Sequence, residues 1–134
     1  MADFRFETEL PFSDAEIGEI EKVVGRSLPE AYSAFVKQYG GAFVGGLVDG
    51  VEDLPILSFF SASGDSGVIA NLNRYSDLKE DRVLPIAGCA LGNLYVLDRD
   101  NEVYYINYYG GQTSARKVSD TFEGFVERIV VPQE

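Results

Sequence analysis

The 134-residue chain contains no histidine. That absence removes the commonest general base, the usual serine and cysteine triads and most catalytic zinc sites. Cysteine is nearly missing too, and a single one, Cys89, cannot close an internal disulfide of the kind that staples small secreted domains. In "IAGCALG" Cys89 has no adjacent cation or base to lower its pKa, so it reads as a buried, inert thiol. Basic residues are scarce, 11 against 22 acidic ones, which gives a formal net charge of -11. A surface of that sign repels phosphate backbones, whose affinity for proteins comes largely from Lys and Arg releasing condensed counterions. Direct nucleic-acid binding is therefore not expected. No apolar run approaches the roughly 20 residues that span a bilayer, and the opening "MADFRFETELPF" lacks the basic-then-apolar pattern of a secretion signal. The expectation is a cytoplasmic chain with no membrane partner.

What is present suits a folded core. Hydrophobic residues make up 46% of the chain, with nine Phe and eight Tyr, a composition far from that of a disordered acidic tail. The length fits one domain, 1–134, which hides roughly 70% of the surface its unfolded chain would expose. The acidic excess attracts basic proteins and speeds their encounter, although it also serves solubility.

Two helices are written near the start. In "PFSDAEIGEIEKVVG", Ser13 and Glu16 make a capping box, Phe12 and Ile17 are placed as a staple, Ile17, Ile20 and Val24 share a face, and Gly25 ends the helix. "RSLPEAYSAFVKQYGG" repeats the pattern, with Ser27 and Glu30 as a second capping box, Pro29 in the first turn and Gly40 as a left-handed stop. Strands are expected at 42–48 and 54–60 around a turn containing Asp49 and Gly50, followed by a short helix carrying Val68, Leu72 and Tyr75. "RVLPIAG", "NLYVLD" and "EVYYINYY" read as three further strands, the middle one apolar on both faces and therefore either central or covered by helices on one side and a loop or partner on the other. "SDTFEGFVERIVVP" closes the chain with a helix whose Asp120 and Glu123 mark its start and whose Phe122, Phe125, Val126 and Ile129 face inward.

No motif carries chemistry. The glycine pairs 40–41 and 45–46 lack the G-K-[ST] ending of a phosphate loop and read as a helix stop and turns. Asp98, Asp100, Asn101 and Glu102 alternate like calcium ligands, but an EF-hand loop would require Gly and Glu where Val103 and Tyr109 stand, so "DRDN" reads as a polar hairpin turn. Carboxylates alone can catalyse glycoside hydrolysis, yet no spacing here selects a pair. Tyr104 and Tyr108 share one side of their strand, with Tyr105 and Tyr109 on the other; one pair belongs in the core, and the other, if exposed, suits a protein contact.

The order "LPEAYSAFVKQYGG", then "VLPIAGCALGNLYVLDRDNEVYYI", then "TFEGFVERI" resembles the SUKH superfamily, the Smi/Knr-like proteins, from about Ser13 to Ile129. The positions that carry the likeness are Leu28 and Pro29, Gly40 and Gly41, Pro85 to Ala87, and Gly92. Tyr39 departs from a frequent Asn, and Asn93 from a frequent Asp. The resemblance implies an α+β fold, a central mostly antiparallel sheet with an N-terminal helical hairpin and a C-terminal helix packed against it. It also implies a non-catalytic protein without cofactor or metal, an immunity protein that binds and neutralises a polymorphic toxin, often a nuclease. The alternative is a regulatory or scaffolding module of the Smi/Knr type, binding an endogenous protein. For a basic toxin domain as partner, exposure and charge select Asp49, Glu52, Asp53, Asp65, Asp98, Asp100, Glu102, Tyr104 and Tyr108 as contacts, carboxylates standing in for phosphates.

Overall fold

The computed structural model describes residues 6, 11–49, 54–64, 67–89, 92–108 and 114–131. Helix α1 (Asp14–Val24) starts at the expected capping box: the Ser13 hydroxyl accepts from the Glu16 N–H at 3.1 Å, and the Glu16 carboxylate accepts from the Ser13 N–H at 2.9 Å. Gly25, at φ 76°, stops it in the left-handed conformation that glycine adopts without a Cβ penalty.

Helix α2 (Glu30–Tyr39) departs from the expectation at both ends. Ser27 does not cap it; Pro29 occupies the cap position and no side chain bonds to the first turn. The proline ring keeps the residue before it out of the helical region, so Leu28 could not serve as the first helical residue behind a Ser27 cap. The Leu28 N–H instead donates to the Glu21 carboxylate of α1 at 2.8 Å. At the other end Gly40 has φ −54°, and Gly41, at φ 71°, takes the left-handed turn. Gly40 is required for space, because a Cβ there would run into the Phe12 ring and the Val36 carbonyl.

Seven strands follow: β1 (Phe43–Val48), β2 (Leu54–Phe59), β3 (Leu84–Gly88), β4 (Leu94–Leu97), β5 (Val103–Asn107), β6 (Ser114–Ser119) and β7 (Ile129–Val130). They form one sheet in the order β6-β5-β4-β3-β2-β1-β7, with every neighbouring pair antiparallel. Strand β4 is buried on both faces, as its pattern implied. The β2–β3 seam is short, pairing Ser58 with Gly88 and Phe59 with Ala87.

Three elements differ from the sequence reading. The third helix, α3 (Val68–Arg74), stops before Tyr75, and a second short helix, α4 (Ser76–Glu80), begins after it. The closing helix, α5 (Phe122–Glu127), starts at Thr121, whose hydroxyl accepts from the Gly124 N–H at 3.0 Å, so Asp120 lies outside it. Ile129 is not helical; in β7 it pairs with Val48, as the β-branched run Ile129, Val130, Val131 favours. Strand β6 carries no apolar alternation, and its exposed Arg116 and Lys117 are charges of the kind that guard a sheet edge.

The core is organised by one row of side chains. Cross-strand pairing aligns Phe59, Ala87, Tyr95 and Tyr105 across β2, β3, β4 and β5 on a single face. Ala87 is small, and Phe125 of α5 sits over the gap, 6.2 Å from the Phe59 ring and 5.1 Å from that of Tyr95. Phe35 of α2 packs 4.7 Å from Phe59 and 5.2 Å from Phe122, joining both helices to the sheet. Each such ring contributes about 1.5–3 kcal/mol by leaving water. Helix α1 packs against α3 and α4, and those two against β3.

Candidate protein-binding surface

The β4–β5 hairpin brings three of the candidate carboxylates together. Oxygens of Asp98, Asp100 and Glu102 lie within 4.8 Å of one another. Asp98 Oδ1 accepts from the backbone N–H groups of Asp100 at 2.9 Å and Glu102 at 3.0 Å, the hydrogen bonds of a tight polar turn. Two cations serve the same corner. Arg26, in the α1–α2 connection, donates to the Asp98 carbonyl at 2.5 Å and to the Asn101 side chain. Burial lowers the pKa of Arg26, while Asp98 and Asp100 act in the opposite sense. Lys117 of β6 bridges Glu102 at 2.7 Å and Asp120 at 2.6 Å. The hydrogen bonds and charges of that pairing raise the Lys117 pKa and lower that of Asp120. Glu102 is thus already neutralised from within, and Asp100 is the carboxylate at the exposed tip.

The other candidates are distributed. Asp49 is exposed at the end of β1, where its N–H donates to the Arg128 carbonyl at 2.8 Å. Glu52, Asp53 and Asp65 lie outside the described residues, as do Gly50 and Tyr109. Tyr104 is half-buried on β5, on the face opposite Tyr105. Tyr108 is also half-buried: its ring stacks on Tyr75 at 4.6 Å and 18°, and burial pushes its pKa up to about 12. Tyr105 is a core residue whose hydroxyl accepts from Asn93 Nδ2 at 2.9 Å and lies 3.5 Å from Cys89 Sγ. Cys89 is buried, as expected.

Asn93 has a structural task. Only 2% exposed, it accepts from the Tyr108 N–H at 2.7 Å through Oδ1 while donating to Tyr105 through Nδ2. It clamps the two ends of the tyrosine run rather than facing a partner.

The order of these elements, with the helical hairpin, the sheet and the closing helix, agrees with a family comparison: the model of the SMI1 / KNR4 family (SUKH-1) matches residues 11–128. The chain belongs to that family. No curated protein matches it. The SUKH assignment accounts for the α+β architecture and associates the chain with protein–protein interaction in general. No described helix of this SUKH domain is long and apolar enough to cross a membrane.

One surface escaped the sequence reading. Phe43, Leu47, Leu57 and Val130 are exposed by 54%, 38%, 41% and 48%, and all four lie on the strands β7, β1 and β2 of the SUKH sheet. Leu47 stands opposite both Val130 and Pro55, so the three side chains share one face. Strand β1 reads "FVGGLV", apolar on both faces, and nothing in that pattern says which face stays open. A signal was available nonetheless: residues 38–73 contain no Lys or Arg, while Asp49, Glu52, Asp53 and Asp65 all fall within them.

Proposed function

We propose that the protein is an immunity protein that binds and neutralises a basic toxin domain, without chemistry of its own. The observation that carries this reading is how its cations are used. Arg26, Lys37, Lys117 and Arg128 are each bonded within the chain, to the Asp98 carbonyl, Asp14, the Glu102–Asp120 pair and the Val118 carbonyl respectively. Those bonds tie down four of the 11 basic residues, and the 22 acidic residues leave a formal surplus of 11 negative charges. A nuclease must present positive charge where it holds phosphate, and such a groove accepts carboxylates held on a rigid scaffold. Asp49 and Asp100 are exposed described carboxylates suited to this, and Tyr104 on β5 and Tyr108 just beyond it are half-buried tyrosines that can add aromatic contact. Membership of the SUKH family supports a binding role.

The test is co-purification with the product of the adjacent gene, repeated as salt is raised, together with rescue of cells that express that product. Binding that weakens with salt, and rescue, are expected. Turnover of a small compound by the purified chain, lost on changing one carboxylate, would overturn the reading. Binding to a host protein instead would favour a regulatory module.

A further inference from the structure

We propose that the exposed apolar strip on β7, β1 and β2 is the docking site for a basic protein that presents an apolar ridge, with Leu47 at the centre of the contact. The proposal rests on the protein-binding reading above and adds its surface and the partner's chemistry.

Four large apolar side chains on these strands, 38–54% exposed, together show on the order of 300 Å² to solvent, within the range of the largest apolar patch on a typical soluble monomer, which is often a functional one. Three of its members share one side of the strands. Leu47 is flanked by Val130 on one side and Pro55 on the other, and Leu57 lies two residues along from Pro55; Phe43 is exposed beyond the irregularity between Phe43 and Gly46, where it pairs with Ser58. The strip is also pre-formed. Gly46 lets β7 approach closely, since a Cβ there would collide with the Val130 carbonyl, and four register pairs hold β1 to β2. A rigid apolar face needs little ordering when a partner arrives.

Charge selects the occupant. No Lys or Arg occurs in residues 38–73, which supply β1 and β2, and the β1 strip ends at the exposed Asp49. A second copy of this chain is disfavoured, because it would bring together two molecules of formal net charge -11. A cationic partner gains from the acidic surround and fills the strip with its own apolar side chains, a desolvated centre within a charged rim.

Two synthetic peptides of equal length and charge test this, one alternating lysine with leucine and one alternating lysine with serine. Each is titrated into the isotope-labelled full chain and followed by amide chemical shifts. The leucine peptide is expected to bind at least about tenfold more tightly, and to move the amides of Phe43, Leu47, Leu57 and Val130. The double variant Leu47→Ser, Leu57→Ser should lose that tenfold gain with its melting temperature little changed, because both side chains are already exposed. Glu19→Gln, at an exposed position of α1, should keep the gain. Equal affinity for the two peptides, or shifts confined to the 98–102 hairpin or to helices α2 and α5, overturns the proposal. So does a dimer of the free protein in sedimentation equilibrium that Leu47→Ser dissolves, since a second copy would then own the face. If the peptides fail while the adjacent gene's product still binds, the surface is wrong and the immunity reading stands. The reverse pair of results strikes the immunity reading alone.

Discussion

Arg26 donates to the carbonyl of Asp98, 72 positions along the chain, and so fastens the α1–α2 connection to the β4–β5 hairpin. The same guanidinium reaches the Arg82 carbonyl at 3.5 Å and the side chain of Asn101, a residue held at φ 65°. Arg26→Ala should cost about 1–3 kcal/mol, the penalty for removing a charged donor from partly buried acceptors. Denaturant midpoints measure the loss, and amide exchange should quicken at Asn101 and Glu102. Arg26→Lys should recover little, because a single ammonium cannot reproduce the planar fork. Midpoints and exchange equal to those of the parent would show that the corner is held by the turn alone.

The two serines that look alike in sequence should behave differently. Ser13→Ala removes a hydroxyl that accepts the Glu16 N–H and is expected to cost about 1 kcal/mol. Ser27→Ala, at a position with no cap bond to α2, should fall within about 0.5 kcal/mol of the parent. Equal effects from paired thermal melts would contradict the assignment of Pro29 as the cap of α2.

Asn93→Ala would strip partners from the Tyr108 N–H and the Tyr105 hydroxyl together. A loss of about 2–4 kcal/mol is expected, from two polar groups left unpaired in or near the core. The near-ultraviolet circular dichroism of the tyrosines should change as well. A melt close to that of the parent would show that water can replace the amide.

Alkali should unfold the protein earlier than its neutral stability suggests. Burial pushes Tyr105 and Tyr108 from 10.0 to about 12, and pushes Tyr32 and Tyr95 further up. Below pH 10 these phenols are neutral in both states, so their contribution is fully present there. As pH rises from 10 to about 12 the unfolded chain loses protons that the folded chain keeps, and stability falls. With no histidine, no side chain of that type titrates around neutrality, and stability should be flat there. The measurement is the denaturant midpoint across pH, followed alongside tyrosinate absorbance. A midpoint unchanged while all eight tyrosines ionise would refute the burial argument.

The legible parts of the fold were those whose cause is local. The capping box at Ser13, the left-handed Gly25 and the two-faced apolar run of β4 each follow from a few adjacent residues, and each is found. Errors arose where a distant partner decides. Ile129 fits a helical stripe but has Val48 beside it in β7, and the polar stretch that forms β6 becomes a strand because β5 offers its edge. The hairpin carboxylates could be named from sequence, whereas the pairing of Glu102 with Lys117 and the tie from Arg26 to the Asp98 carbonyl depend on the tertiary approach of remote segments. The apolar strip was hidden for the same reason, since Val130 joins Leu47 only through the chain's return to the sheet.

The short seam between β2 and β3 divides the sheet mechanically. With two register pairs there against four between β1 and β2, strands β7, β1 and β2 resemble a panel joined to the remainder by the packing of Phe35, Phe59 and Phe125 and by a few polar links, among them the Phe60 N–H to the Ile86 carbonyl at 3.0 Å and the Tyr95 hydroxyl to the Pro55 carbonyl at 2.7 Å. Force applied to that panel would part the Ser58–Gly88 and Phe59–Ala87 line first, leaving the panel itself intact.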